Sequence, residues 1–177
     1  MTRHMITERE STAKATSPAA PLINHGAWPR LVLRKANERA TAAKPQVRKL
    51  SVRDFVDALI SFHAVAVGEG PGFEVDCDPV LEATFDPEII ERVLHNLLGN
   101  ARRYAGDKGL VRVIVRPWDS LGSDSCEIAV ENSGPPVEAT LIPHLFSKYG
   151  RGVDGKRGLG LYFCRLACEA HGGQIEY

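Results

Sequence analysis

The chain has 177 residues, 44% hydrophobic and 25% charged, with a formal net charge of zero, which suits one globular domain with a core of its own. No apolar run approaches the roughly 20 residues that span a bilayer, no signal-peptide pattern opens the chain, and the four cysteines show neither a CxxC pair nor a metal-ligand spacing. A cytoplasmic chain is expected, with its thiols acting as small buried hydrophobes.

The charge is unevenly spread. Residues 1–50 are basic, with Glu8, Glu10 and Glu38 as their only acidic residues. The remainder is acidic, which argues against nucleic acid as its partner. Residues 1–45 lack periodicity and are rich in Ala, Thr, Ser and Pro, as in "ESTAKATSPAAP". They read as a basic, disordered arm that could dock on a partner, with "WPRLVLRKANERA" adding a short helix. Residues 46–177 read as the folded domain.

That domain opens with a helix at Ser51, where Asp54 three residues on is the capping-box partner. Val52, Phe55, Val56, Leu59, Ile60 and His63 share one face, and Gly68 and Gly70 end the helix. His63 on that face reads as a hydrogen-bonded core histidine. "GFEVDCD" and "LEATF" alternate as two short strands. Asp86-Pro87 then starts a helix containing "RVLHNLLGNARRYA". "LVRVIVRPW" and "CEIAVEN" alternate as an antiparallel hairpin. The loop "SGPP", the segment "ATLIPHLFSKYG" and the glycine-rich "GRGVDGKRGLG" lead to a last helix, "LYFCRLACEAHGG", closed by Gly172 and Gly173. This order predicts an α+β fold: a two-layer sandwich of helices over one face of a mixed, mostly antiparallel sheet.

Four features could converge on a polyphosphate. Asn96, Asn100 and Arg103 share one helix side, with Tyr104 four beyond Asn100. Amide oxygens suit Mg²⁺, although such a pair also serves as a structural hydrogen-bonding device. Gly158 and Gly160 sit where a loop enters a helix, a place that holds anions well or simply turns the chain. In "VENSGPP", alternation turns Asn132 inward, where an amide can match an adenine edge or cap the loop. Lys148, Arg151, Lys156 and Arg157 lie among glycines, as in a lid over phosphates or a solvated basic loop.

The ordered stretches "NLLGNARRY", "ENSGPP", "LFSKYGR", "GLGL" and "HGG" resemble the ATP-binding catalytic domain of bacterial sensor histidine kinases. These belong to the gyrase, heat-shock chaperone, histidine kinase and mismatch-repair (GHKL) superfamily, and the resemblance covers about residues 48–177. It implies a Bergerat-type fold and a protein-histidine kinase type of phosphotransferase activity with ATP and Mg²⁺ as cofactors. By resemblance, Asn100 coordinates Mg²⁺, Asn96 lines the phosphate site, and Arg103 touches phosphate. Tyr104 lies against the nucleotide, Asn132 meets the adenine amino group, and Gly134 gives the base room. Arg151 grips the terminal phosphate, while Gly158, Leu159, Gly160 and Leu161 form the turn that wraps the phosphates. The partners implied are a phosphoacceptor histidine domain and a response regulator in trans, and a monomer is the expected state.

The pattern departs from the family in several places. Where gyrase and chaperone members carry a water-activating glutamate stands Asn96, which cannot take a proton; hydrolysis is therefore disfavoured against transfer. Asn132 replaces the usual aspartate and Pro136 a glycine, and weaker discrimination of ATP from GTP is expected. None of the six histidines stands in a phosphoacceptor motif. "GGQIEY" should begin a strand that the family follows with one more. An anti-sigma-factor serine kinase and a nucleotide-binding interaction module without catalysis are the competing readings.

Overall fold

Most elements form where the sequence carries a local signal for them. The computed structural model describes residues 29–33, 45–65, 70–118, 124–148 and 159–177. Its strands are β1 (Arg30–Leu33), β2 (Arg48–Ser51), β3 (Gly72–Asp76), β4 (Glu82–Phe85), β5 (Leu110–Pro117), β6 (Cys126–Asn132) and β7 (Gln174–Glu176). Helix α1 (Val52–Val65) starts where Ser51 Oγ accepts the Asp54 N–H at 3.2 Å. Helix α2 (Pro87–Ala105) starts at Asp86, whose carboxylate accepts the N–H groups of Glu88 and Ile89, with Pro87 in the first turn. Helix α3 (Leu159–Ala170) stops before Gly172, whose φ of 69° is left-handed backbone that glycine adopts without strain.

The main sheet has the order β3-β5-β6-β1-β7. β3 and β5 run parallel, and every other neighbour pair is antiparallel. The hairpin of β5 and β6 is as the alternation predicts, with Val113 opposite Val130 and Val115 opposite Ile128. β3 and β4 are strands as expected but do not pair with each other; β4 joins β2 in a separate two-stranded sheet. Strand alternation identifies a strand, not its partner.

The core lies between one face of the main sheet and the helices. Val111, Val113, Val115, Ile128 and Val130 meet Ile90, Val93, Leu94, Leu97 and Leu98 of α2, all buried. Each such side chain contributes roughly 1.5–3 kcal/mol over leaving it in water. α2 thus buries one stripe and leaves its other side for chemistry. Among the described residues, no helix is long and apolar enough to cross a membrane.

One expectation is corrected. Arg30–Leu33, inside the segment read as a disordered arm with a short helix, is a strand between β6 and β7, with Leu31 and Leu33 fully buried. Four residues of apolar-rich sequence carry no period that distinguishes strand from helix; two open strand edges decide it. Gly68 lies outside the described residues.

Candidate functional site

α2 carries the candidate site from its middle to its C-terminal end. Toward its middle, Asn96 Nδ2 donates to Arg92 O at 2.8 Å, leaving Oδ1 turned to the first turn of α3. A Cβ on Gly160 would stand 2.7 Å from that Oδ1, so any larger residue here would push the Asn96 amide aside. One turn earlier, the Arg92 guanidinium lies 4.6 Å over the Phe163 ring, clamping α2 to α3. The α3 N-terminus, the positive end of its helix dipole, therefore lies beside the Asn96 amide. Leu161 packs against the core, and Leu159 is exposed.

At the C-terminal end of α2, Tyr104 meets the strand end of β6. A Cβ on Gly134 would overlap the Tyr104 carbonyl oxygen and stand 2.7 Å from Asn132 Nδ2. Asn132, paired across the sheet with Val111, is only 8% exposed, and among the described residues its Nδ2 has no hydrogen-bond partner. A buried, unpaired amide is costly unless a ligand satisfies it. The turn behind it is fixed by Ser133, whose Oγ accepts the Leu110 N–H at 2.9 Å while its own N–H donates to Leu110 O at 2.9 Å. Arg103 Nη2 donates to Tyr104 Oη at 3.1 Å, and its guanidinium lies 5.0 Å from the ring centre.

Asn96, Asn100 and Arg103 thus follow one another along α2 between these two ends. From Asn96 to Tyr104 the helix rises about 12 Å, a length that an extended nucleotide can follow. Asn100 is half-buried on this stretch. Arg151 and Gly158, as well as Lys156 and Arg157, lie outside the described residues. Lys148 is exposed.

Among the described residues no group of three or more His, Cys, Asp or Glu side chains could hold a metal ion by itself. The donors present are amide oxygens, which fit a hard cation that takes most of its ligands from water and substrate phosphate. Thiol chemistry is disfavoured: burial pushes Cys126 and Cys164 up to about 12, and Cys168 up as well.

Sequence reasoning gave no role to His171, although "HGG" was one of the recognised stretches. Its ring is fully buried, Nε2 accepting the Asp86 N–H at 3.0 Å and Nδ1 donating to Ala167 O at 2.7 Å. It ties the end of α3 to the start of α2. A histidine just before a helix-ending glycine pair was the only available signal. His63 has the hydrogen bond expected of it, with Nε2 2.8 Å from His95 Nδ1, but it is half-buried at the rim and not in the core.

Comparison with known proteins follows the same lines. Residues 85–177 match the family described as histidine kinase-, DNA gyrase B-, and HSP90-like ATPase. The chain is 30% identical over 139 residues to the sensor histidine kinase CusS of Escherichia coli O157:H7, covering 74% of this chain and 28% of that protein. It is 34% identical over 110 residues to the sensory histidine kinase/phosphatase NtrB of the same organism, covering 58% and 32%. The chain therefore spans a third or less of the length of these relatives. Among solved structures, the catalytic domain of histidine kinase ThkA aligns with a TM-score of 0.60 at 22% identity, over 69% of this chain and 79% of that one. Full-length ShkA in complex with AMPPNP aligns at 0.64 and 20% identity, over 77% and 30%. Its mixed sheet, its helices and the match over the site-bearing half agree: the chain belongs to the histidine kinase-, DNA gyrase B- and HSP90-like ATPase family.

Proposed function

We propose that this domain binds ATP with Mg²⁺ along α2 and passes the terminal phosphoryl group to a histidine on a separate phosphoacceptor domain, as the catalytic domain of a two-component histidine kinase. The observation that carries the reading is the approach of Gly160 to Asn96, which sets a helix N-terminus against a row of amides. A cleft of that composition suits a triphosphate.

In this reading Asn132 pairs with the base and Gly134 leaves space beside it. Tyr104 borders the nucleotide, and Arg103 places a permanent cation at the phosphates. Asn100 would hold Mg²⁺, which supplies charge neutralisation to the phosphate oxygens, and Asn96 would line the phosphate site. The α3 N–H groups after Gly160, with Gly158, Leu159 and Leu161, shape the anion cradle, and Arg151 grips the terminal phosphate. Phosphoryl transfer asks mainly for alignment and charge neutralisation. Asn96 cannot accept a proton, and Glu91, the nearest carboxylate on α2, lies five residues from it with its carboxylate 3.5 Å from His95 Nε2. Transfer to a histidine that is itself nucleophilic needs no base for water. ATP as donor places the reaction in the cytoplasm, with a response regulator as the downstream partner.

The test has two arms. Calorimetry with ATP–Mg²⁺ should show binding by wild type and loss of at least about tenfold in affinity for Asn100→Ala, since a lost ligand to a charged group is worth 1.5–3 kcal/mol. Labelled ATP mixed with a panel of phosphoacceptor hairpins should then label a histidine. Binding without transfer to any hairpin would favour a nucleotide-gated interaction module, and labelling of a serine would favour the anti-sigma-factor type.

A further inference from the structure

The strand β1 enters the main sheet from far away in the sequence, and it is the sole partner of β7 among the described residues. Leu31 stands between Ile128 of β6 and Ile175 of β7, and all three belong to the buried core. Pro29 O accepts the Val130 N–H at 3.3 Å, prolonging the β6 contact toward Asn132. On the other side the fit is tight: a Cβ on Gly173 would overlap Val32 O. α3 packs on both β1 and β7. The two elements that β1 joins are therefore those that carry the two ends of the candidate site. β6 ends in Asn132, and β7 follows α3, whose first turn contains Gly160.

We propose that Arg30–Leu33 is a positioning strand for the nucleotide site: seated between β6 and β7, it fixes the distance between Asn132 and the α3 N-terminus, so nucleotide binding and β1 docking support each other. This inference rests on the reading of the site as a nucleotide cleft. If β1 leaves, β7 loses its ladder and α3 loses two of its supports, while β2, β4 and the β3–β5 pair keep theirs. Because coupling is reciprocal, a nucleotide that favours the docked arrangement must also hold β1 in place. The segment that precedes β1 is thereby mechanically connected to the site: anything that pulls on it pulls on the strand.

Hydrogen exchange on the full chain tests this. With AMPPNP and Mg²⁺ added, amides of Leu31, Val32 and Leu33 and of β7 should slow by about tenfold more than those of the β2–β4 pair, as expected for local rather than global stabilisation. Leu31→Asp should weaken AMPPNP–Mg²⁺ binding by about tenfold or more, Leu31→Ile should keep it, and a synthetic peptide of residues 28–34 in excess should restore binding to Leu31→Asp. Equal protection of both regions, or unchanged affinity in Leu31→Asp, overturns the proposal. A wild type that binds no nucleotide overturns both this proposal and the reading of the site, and so is told apart from a failure of the strand alone.

Discussion

His171 Nε2 accepts the backbone N–H of Asp86 at 3.0 Å, joining residues 85 apart in the chain. Asp86 is also the N-cap of α2, and its Oδ2 accepts the Gln46 N–H at 2.6 Å. One buried imidazole thus links the last turn of α3, the first turn of α2 and the chain before β2. Replacing it by alanine leaves a cavity and strips the Asp86 N–H of its acceptor. His171→Ala should cost about 2–4 kcal/mol, read as a lower urea midpoint with an unchanged slope.

The two site glycines should fail in different ways. A Cβ on Gly134 meets the backbone carbonyl of Tyr104, which cannot move without shifting the end of α2. Gly134→Ala should therefore lose about 1–3 kcal/mol of stability as overpacking strain. A Cβ on Gly160 meets only the amide tip of Asn96, which can rotate away. Gly160→Ala should keep the melting temperature within a few degrees and lower ATP–Mg²⁺ affinity, because in the proposed site the displaced amide lines the phosphates. A thermal melt beside a calorimetric titration separates the two cases.

Much of this was legible in the sequence, and the gaps have a common cause. Asp86-Pro87, Ser51 with Asp54, and the alternation of β5 and β6 are local signals, decided within a few residues, and each appears where the pattern puts it. The grouping of Asn96, Asn100 and Arg103 follows from helical spacing alone. The parallel pairing of β3 with β5, the insertion of β1 and the His171–Asp86 bond are all long-range. They are set by which edges and donors stay open once the local elements exist, and no window of neighbouring residues contains that information. The approach of Gly160 to Asn96 is long-range as well; it was reachable only because the ordered stretches resemble a known family.

Stability should fall on mild acidification, and His63 is one reason. Burial first, then the neighbouring His95 and Arg102, hold its imidazole below the ordinary histidine value of 6.5. The native state therefore keeps His63 neutral where the unfolded chain has already taken up a proton. Stability is full above pH 6.5 and declines as pH falls from there through the lowered native value. His63 Nε2 also lies 2.8 Å from His95 Nδ1, a contact that joins α1 to α2. Urea midpoints measured at pH 7.5 and 5.5 should differ for wild type and differ less for His63→Gln; equal pH dependence in both would remove His63 as a cause.

The base specificity should follow from Asn132 being an amide. Its buried Nδ2 is unpaired among the described residues, and rotation by half a turn exchanges donor for acceptor at the same place. Adenine offers an amino group on the edge where guanine offers a carbonyl. Both can be met by an amide, one through Oδ1 and the other through Nδ2. A carboxylate can meet only the amino group and repels the carbonyl, which is discrimination by an unfavourable contact. Wild type should bind ATP and GTP within about tenfold of each other, a gap of 1.4 kcal/mol. Asn132→Asp should widen the preference for ATP beyond about a hundredfold, chiefly by weakening GTP, since the guanine carbonyl then faces an unpaired buried acceptor. Titrating both nucleotides into both proteins decides it, with a thermal melt of Asn132→Asp to confirm that the buried carboxylate is tolerated. A wild type already stringent for ATP would mean that the amide is locked in one orientation by a neighbour.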